Sequence, residues 1–275
     1  MNRTDVVSEN EEFFARKIKG LEKNIKKIKD VDVIEITIKT NLAKQLLLKE
    51  KGRYITIQHR NLLDISKIAD VEDVLTEKLM DFLKDKQSVL FIGIGNKKIT
   101  PDSIGPFVAE KIIATRHLNL KIKQLIGADN LKSVSVFSPG VSGQTGMQTI
   151  EIIKSVVNFV KPELVVVVDA LAARSFSRLG RTIQITDSGI APGSGVKNSR
   201  QELSKKTLGV PVLAIGVPTV VDFFENRVKT KKTSFFMVTP KNIDEIINRA
   251  AGLISNSLNR ALFPNLSKKE LKALC

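Results

Sequence analysis

The sequence predicts an α/β fold of three layers, in which helices cover both faces of a mostly parallel or mixed central sheet. Two observations lead to this prediction. Short runs that are almost entirely apolar recur at 89–95, 164–169 and 212–216, as is typical of strands buried on both faces. Segments with helical spacing of apolar residues separate most of these runs, and alternating strands and helices form layered α/β domains.

The sequence contains no internal repeat and no long linker, so residues 1–275 are interpreted as one domain. Within it, residues 1–86 are expected to form an N-terminal elaboration, residues 87–260 the core and residues 261–275 a C-terminal helix. In the elaboration, alternation of apolar and polar residues predicts strands, and helical periodicity predicts amphipathic helices. The strands are expected at 33–39 and 54–58, and the helices within 1–30, at 42–52 and at 71–86.

The core is expected to carry further strands and the helices that cross between them. The additional strands are predicted at 133–137, 181–186 and 235–239, and the helices at 104–115, 145–161, 218–227 and 241–260. Unlike the other runs, 181–186 alternates between apolar and polar residues, so it is interpreted as an edge strand or an antiparallel hairpin strand.

Composition restricts the class of protein. The chain has 275 residues, of which 42% are hydrophobic, and its single cysteine is Cys275, so no disulfide can form within the chain. A reducing compartment is therefore expected. No apolar run approaches the roughly 20 residues of a membrane span, and the N-terminus lacks an apolar signal region. These features predict a cytoplasmic globular protein without membrane contact.

The net charge of +15 raises nucleic acid as a possible partner. The positive charge is not gathered into a basic tail or an arginine-rich arm, and no aromatic run is present that would stack on bases. We therefore interpret the charge as a lysine-coated surface, and no direct nucleic-acid role is expected.

Glycine-rich loops leave several predicted strands, at the sheet edge where α/β proteins bind ligands. The loop at 93–105 starts with Gly-x-Gly, but Lys98 takes the place of the third glycine of a dinucleotide fingerprint. No phosphate-binding P-loop motif occurs. The two histidines, His59 and His117, lie in no nucleophile or zinc motif. The sequence therefore predicts no cofactor and no metal.

Two carboxylates remain as candidates for chemistry. Asp169 ends the most apolar run of the chain, and Asp102 follows the run 89–95. Each also has a structural alternative, because Asp169 could cap a helix that starts at residue 170, and Asp102 could be a first-turn acid behind Pro101. Both are expected on strand-exit loops that face the same crevice. Two carboxylates brought close can share a proton, so one can act as an acid and the other as a base on water.

Several motifs are similar to those of the spore germination protease family. They are "GIGNKKITPDSIGP", "ATRHL", "SPGVSGQTGMQT", "VDALAARS", "TIQITDSGIAPGSGVKN" and "LGVPVLAIGVPTVVD", and the resemblance runs from residue 3 to about residue 225. It implies an endopeptidase that degrades small acid-soluble spore proteins during spore germination, with a fold similar to that of the hydrogenase maturation endopeptidases. By motif, the two functional aspartates of this atypical aspartic-type family fall on Asp102 and Asp169.

The resemblance further implies a homotetramer in the cytoplasm of the forespore or spore core, made as a zymogen whose N-terminal pro-segment is removed. In the family the pro-segment precedes an "RTD" stretch, which begins at residue 3 here. We therefore expect either a different mode of activation or a pro-segment that lies outside this sequence.

The family cuts at a short site that contains glutamates, so basic side chains are candidates for binding them. The loop at 138–146 is a candidate for holding the substrate backbone or an oxyanion with its amides. The candidate substrate-binding residues are Gly143, Gln144, Arg174, Arg178, Lys197 and Arg200. A solvated basic surface is the alternative interpretation of each of the four basic residues.

Two other functions stay open. The first is a metal-dependent peptidase of the hydrogenase-maturation type, with Asp102, Asp169 and His117 as ligands, and chelator-insensitive activity would exclude it. The second is a non-catalytic spore module that binds DNA or protein, as the net charge of +15 suggests. Salt-sensitive DNA binding without proteolysis would favour that alternative.

Overall fold

In the computed structural model, the described residues are 4–14, 17–64, 67–119, 131–191, 202–227, 232–267 and 270–271. They form one sheet with helices on both of its faces. The strands are β1 Leu21–Ile28, β2 Val31–Ile38, β3 Gly52–Gln58, β4 Ser88–Gly93, β5 Ser133–Phe137, β6 Leu164–Ala173, β7 Thr182–Thr186, β8 Val212–Arg227 and β9 Lys232–Val238. The α-helices are α1 Glu11–Phe14, α2 Asn41–Leu47, α3 Ile68–Leu83, α4 Ile104–Ala109, α5 Ser142–Thr145, α6 Thr149–Val160, α7 Lys205–Leu208 and α8 Ile243–Leu262. Short 3-10 helices cover Val7–Glu9, Thr100–Asp102 and Phe176–Arg178.

The sheet is mixed and has the strand order β1-β2-β3-β7-β8-β6-β4-β5, while β9 pairs with β8 beside this path. The neighbours β5–β4, β4–β6 and β6–β8 are parallel, and we call these four strands the parallel half. The neighbours β1–β2, β2–β3, β3–β7 and β7–β8 are antiparallel, and we call β1, β2, β3 and β7 the antiparallel half. The two halves meet where β8 lies between β6 and β7.

Helices pack on both faces of the sheet. On one face, α3, α4 and α8 bury apolar side chains against a set of strand residues that includes Val166 and Val168. On the other face, α6 and α7 pack against Val165 and Val167. Successive side chains of a strand point to opposite faces, so β6 supplies both layers, and each buried valine contributes roughly 1.5–3 kcal/mol relative to exposure. The predicted three-layer α/β fold is confirmed.

The helix predicted within residues 1–30 is wrong for much of its length. The structure places β1 at 21–28, in an antiparallel hairpin with β2. Gly20, with φ of 80°, precedes the strand, and Lys29, with φ of 55°, lies in the two-residue turn that follows it. Such left-handed positions interrupt helices and form tight hairpin turns. Most side chains of β1 are exposed, so no alternating burial pattern marked this strand in the sequence.

The helix predicted at 218–227 is also wrong. β8 continues as strand through these residues and pairs with β9 in an antiparallel ladder from Val221–Val238 to Arg227–Lys232. β-Branched and aromatic residues are frequent in this segment, and both types favour strands. The predicted strand at 181–186 was interpreted as an edge strand or an antiparallel hairpin strand, and it is antiparallel to both of its neighbours. It is not an edge strand, because β7 lies between β3 and β8.

The remaining helix predictions are confirmed with shifted ends. α4 ends at Ala109, so the prediction of a helix to residue 115 is too long, and α8 extends to Leu262. The predicted C-terminal helix at 261–275 is wrong for residues 263–267, which form turns after the end of α8, and residues 268–269 and 272–275 lie outside the described residues. Within the described part of the chain, no helix combines the length and apolar character needed to cross a bilayer.

Candidate active site

A cavity of about 940 Å³ lies at the carboxyl end of β6, where the two halves of the sheet meet. Its lining includes Asp169 of β6, Gly216 of β8, Gln184 of β7 and Asp102 of the 3-10 helix before α4. In α/β sheets, ligands bind beyond the carboxyl ends of the parallel strands. The volume lies at the upper end of the roughly 300–1,000 Å³ that is usual for ligand pockets.

The sequence predicted that Asp169 lies on a strand-exit loop. This prediction is wrong, because Asp169 lies inside β6. The strand continues to Ala173, and Asp169 pairs with Gly216 of β8. The alternative role as a helix cap is therefore wrong, because residues 170–173 are strand. The side chain of Asp169 is 3% exposed. Its Oδ1 accepts the N–H of Ala170 at 2.9 Å, which orients the carboxylate.

Asp102 is the last residue of the 3-10 helix that follows β4. Pro101 lies within this turn, and the N–H of Asp102 donates to the carbonyl of Ile99 at 2.8 Å. The half-buried carboxylate accepts the N–H of Asn96 on Oδ2 at 2.8 Å. This hydrogen bond fixes the carboxylate against the loop that leaves β4. Asp102 is thus an acidic residue in the first turn of a 3-10 helix, as the structural alternative has it. It also lines the cavity.

Three glycines allow the Asp102 loop to pack directly on the ends of β4 and β6. A Cβ on Gly95, where φ is 131°, would lie 1.8 Å from the carbonyl oxygen of Asp102. A Cβ on Gly105 would lie 2.2 Å from the carbonyl oxygen of Ile94, and one on Gly93 would lie 2.2 Å from the carbonyl oxygen of Gly105. Because backbone cannot yield as a flexible side chain does, these glycines are the local reason that Asp102 reaches the same cavity as Asp169.

The glycine-rich loop at 138–146 lies next to the Asp102 loop. Gln144 donates from Nε2 to Oδ1 of Asn96 at 2.6 Å and accepts the N–H of Val141 on Oε1 at 3.3 Å. Gly143 is exposed, with nothing within 4 Å of where its Cβ would be. Neither Gly143 nor Gln144 is among the residues that line the cavity. Gln144 therefore supports the side chain of Asn96, and the backbone N–H of Asn96 in turn binds the carboxylate of Asp102.

The basic candidates for substrate binding lie in different places. Arg174 lines the cavity, and its Nη1 donates to the carbonyl of Glu9 at 3.4 Å. Arg178 is buried away from the cavity, where Nη1 donates to Oε1 of Gln58 and Nε lies 3.8 Å from Oε1 of Glu9. A solvated surface role is therefore wrong for Arg178, which joins separate elements. Lys197 and Arg200 lie outside the described residues.

The third ligand of the metal-dependent alternative is not brought to the aspartates. His117 is an exposed turn residue and does not line the cavity. Within the residues that the structure describes, no group of three or more His, Cys, Asp or Glu side chains is arranged to hold a metal ion.

The sequence analysis missed several residues of the cavity lining, among them Thr4, Asp5, Lys49, Glu50 and Glu202. The first two belong to the "RTD" stretch of the family resemblance, which was the one signal that could have pointed to them. The other three follow α2 or precede α7, and no spacing of polar residues marks them in the sequence.

The lining is acidic although the whole chain carries a net charge of +15. Its charged members are Asp5, Glu50, Asp102, Asp169 and Glu202 against Lys49 and Arg174. Burial raises the pKa of Glu202, and the neighbouring charge of Glu50 raises it further. Burial also raises the pKa of Tyr54, so its hydroxyl stays protonated while it donates to the carbonyl of Glu50 at 2.8 Å.

Comparison with known proteins gives one consistent family. A family model described as germination protease matches residues 2–230. The germination protease of Caldanaerobacter subterraneus subsp. tengcongensis is 37% identical and the alignment covers 99% of this chain and 97% of the relative. That of Clostridium acetobutylicum is 36% identical over 98% and 97% of the two chains. That of Bacillus subtilis is 42% identical over 80% of this chain and 63% of the relative.

Among solved structures, the NiFe hydrogenase maturation protease HycI from Thermococcus kodakarensis is 24% identical, with a TM-score of 0.37 over 66% of this chain and 98% of that chain. It is of the kind that the sequence led us to expect, but a likeness at this TM-score supports no conclusion. The fold class follows from the layers and strand order themselves. The family follows from the match over residues 2–230 and from relatives that share more than a third of their residues with nearly the whole chain. This chain therefore belongs to the germination protease family.

Proposed function

We propose that this peptidase is an atypical aspartic-type endopeptidase in which Asp102 and Asp169 activate one water molecule. The observation that carries the proposal is that two carboxylates from different elements line one cavity at the carboxyl end of β6. Among the described lining residues there is no histidine and no cysteine. Of the five carboxylates in the lining, Asp102 and Asp169 are the two on which the family motifs fall, so they are the best candidates for moving a proton between water and a peptide bond.

The proposed reaction uses the pair in one ionised and one protonated state. The ionised carboxylate accepts a proton from water as the water oxygen bonds to the carbonyl carbon of the scissile peptide. The protonated carboxyl group donates its proton to the carbonyl oxygen. In the second step the C–N bond breaks and the amine nitrogen takes one proton from the pair. One hydroxyl group of the gem-diol returns its proton to the pair as the new C=O bond forms, so the two carboxyl groups again hold one proton between them. Two coupled carboxylates titrate as a unit, so we assign the acid and base roles to the pair.

The contacts of the two aspartates suit such roles. The backbone N–H of Asn96 donates to Oδ2 of Asp102, and the backbone N–H of Ala170 donates to Oδ1 of Asp169. Side chains fixed by backbone amides keep their geometry during the reaction, and such preorganisation is a main source of catalytic rate. Asp169 is also nearly inaccessible to solvent, so the residues packed around it restrict its side chain.

The substrate and setting follow from the family. We propose that the substrates are small acid-soluble spore proteins, cut during germination in the cytoplasm of the forespore or spore core, and that the enzyme is a homotetramer made as a zymogen. An extended peptide is a suitable ligand for a cavity whose lining combines carboxylates with apolar side chains such as Leu46, Leu48 and Met237. We further propose that the whole chain is one peptidase domain, because β3 pairs with β7 in a continuous sheet.

The test is cleavage of a purified small acid-soluble spore protein by Asp102→Asn and Asp169→Asn variants. We expect each variant to lose at least about 1,000-fold in kcat/KM, within the roughly 100- to 10,000-fold range of general acid–base catalysis. Asp32→Asn is the matched control, because Asp32 is an exposed aspartate of β2 that does not line the cavity. Circular dichroism and urea unfolding would verify that all three variants fold.

Retained cleavage by either site variant would remove that residue from the mechanism. Parallel assays with a chelator separate the aspartate mechanism from the metal-dependent alternative, since the proposed reaction is unaffected by metal removal. Wild-type protein that binds DNA but cleaves no spore protein would contradict the proposal as a whole.

A further inference from the structure

The first described residues, 4–10, form a buried segment that we call the N-terminal segment. Val6 and Val7 are 0% exposed and Glu9 is 9% exposed. Val6 packs with Leu171, Ala173 and other residues around the end of β6, while Val7 packs in the cluster that covers the antiparallel half. The segment thus contacts both halves of the sheet, and Thr4, Asp5 and Asn10 form part of the cavity lining.

Asp5 binds the edge of β6 beyond the point where β4 ends. The N–H of Ile94, just after β4, donates to the carbonyl of Val168 at 2.9 Å. Four residues further along the same edge of β6, the carbonyl of Ala172 accepts the N–H of Asp5 at 2.9 Å. The N–H of Ala172 donates in return to Oδ2 of Asp5 at 3.0 Å. Asp169 lies on β6 between these two points of attachment.

Other contacts fix Asp5 to the opposite wall of the cavity. Its carbonyl accepts from Nε2 of Gln184 at 3.1 Å and from Nζ of Lys49 at 3.2 Å. The same Gln184 side chain accepts the N–H of Val7 on Oε1 at 2.8 Å. Gln184 belongs to β7, so a single amide side chain ties two backbone groups of the N-terminal segment to the antiparallel half.

Glu9 binds the backbone that directly follows β6. Its Oε2 accepts the N–H of Arg174 at 2.8 Å, and its Oε1 accepts the N–H of Ser175 at 3.0 Å. These two amides follow the last residue of the strand. The carboxylate also contacts the hydroxyl of Thr4 and the guanidinium of Arg178. A buried carboxylate with this many donors restrains the backbone that it binds, because releasing it would leave a buried charge unpaired.

We propose that Asp5 and Glu9 are positioning residues for Asp169. They keep residues 170–175 in a single strand geometry on the side where β4 no longer supports β6, and through that strand they hold the Asp169 carboxylate in the cavity. The inference rests on the proposed function, since it assigns the two acidic residues an effect on catalysis by Asp169. They touch neither the water nor the scissile bond in this scheme.

The test compares Asp5→Ala and Asp5→Asn in the full-length enzyme. Alanine removes the acceptor of the Ala172 amide, and we expect kcat to fall at least about tenfold with KM changed less than about threefold, since a misplacement of roughly 1 Å at a reacting group can cost about 100-fold in rate. Asparagine keeps one acceptor oxygen and is expected to restore at least about a third of wild-type kcat. A merely structural role would lower only the fraction of folded enzyme, so kcat per folded molecule, with the folded fraction taken from circular dichroism, would stay at the wild-type value.

Asp187→Ala is the matched control. Asp187 also accepts a strand amide, that of Arg53 at 2.7 Å, but it is exposed and does not line the cavity. We expect this variant to keep the kcat of the wild type. Hydrogen exchange of the peptide that contains residues 170–175 gives a second measurement, and we expect faster exchange in Asp5→Ala and Glu9→Ala than in Asp187→Ala.

The outcomes separate this inference from the proposed function. If Asp169→Asn abolishes cleavage while Asp5→Ala keeps wild-type kcat and wild-type exchange, the positioning role is wrong and the aspartate mechanism stands. If Asp169→Asn stays active, the mechanism is wrong and the positioning role fails with it, whatever the exchange rates show. Loss of kcat in Asp5→Ala that asparagine does not restore would also overturn the inference.

Discussion

Strand β6 in the parallel half and strand β1 in the antiparallel half of the sheet differ in burial. In the parallel half, β6 is buried at nine of its ten positions, because helices cover both of its faces. In the antiparallel half, β1 is exposed at six of its eight positions. A strand covered on both faces needs an apolar residue at nearly every position, whereas an edge strand does not. The comparison teaches that burial is deepest in central strands such as β6 and falls off at the β1 edge of the sheet, and that the candidate residue Asp169 lies on a central strand.

The largest expected effect tests this contrast in burial. Phe91 of β4 is 1% exposed, whereas Ile25 of β1 is 58% exposed. We expect Phe91→Ala to lower the free energy of unfolding by about 3–5 kcal/mol, because it removes a buried aromatic side chain and leaves a cavity. Ile25→Ala is expected to change it by less than about 0.5 kcal/mol. Urea unfolding measures both, and equal losses would contradict the difference in burial between the central strands and the edge strand β1.

A medium effect is expected where the Asp102 loop meets the parallel half. Gly105→Ala would bring a methyl group within 2.6 Å of the carbonyl oxygen of Val168 and closer still to Ile94. We expect it to cost about 1–3 kcal/mol of stability through overpacking. Displacement of Asp102 should also lower kcat/KM about 100-fold. Gly252→Ala in α8 is the control, since nothing lies within 4 Å of its added methyl group, and full activity in both variants would contradict this account of the loop.

The smallest expected effect lies in the antiparallel half. Burial opposes ionisation of Glu35, but Lys78 and Arg53 outweigh it, so the pKa of Glu35 lies below its ordinary value of 4.5. Nζ of Lys78 lies 3.1 Å from Oε1 of Glu35 and joins α3 to β2. A lowered carboxyl pKa means stabilisation that is present above pH 4.5 and is lost as the pH falls through the lowered value.

We therefore expect Glu35→Gln to cost about 0.5–1 kcal/mol at pH 7, as is usual for partly exposed ion pairs. The difference from the wild type should vanish in acid, and unfolding curves between pH 7 and about pH 3 would measure it. A difference that stays constant over this range would show that lost packing and not lost charge is responsible.

The same contrast explains what could be predicted from the sequence. Apolar runs such as 89–95 and 164–169 predicted strands of the parallel half, and helical periodicity predicted the helices between them. β1 and the second part of β8 were predicted as helices, because strands formed by hairpin pairing need carry no such run. Their assignment depends on the partner strands β2 and β9, which local periodicity does not contain.

The candidate site divides in a similar way. Asp102 and Asp169 could be singled out, because a carboxylate beside an apolar strand is unusual, and the family motifs fall on the same two residues. That Asp169 continues a strand could not be foreseen, since the neighbour of β6 at Ala172 is Asp5, which is 167 residues away in the chain. Lys49 and Glu202 reach the cavity through tertiary packing alone. Contacts of this kind leave no trace in local sequence.

In the proposed mechanism, the mid-strand position of Asp169 makes the spacing along β6 a constraint on function. Strand side chains alternate between faces, so inserting or deleting one residue between Leu164 and Asp169 would turn the carboxylate into the apolar layer that now receives Val166 and Val168. The ladder does contain one extra residue, but it is Thr219 of β8, between the partners of Leu171 and Ala172. Irregularity is thus tolerated in the neighbouring strand, while the spacing from the apolar run to the aspartate has to stay fixed.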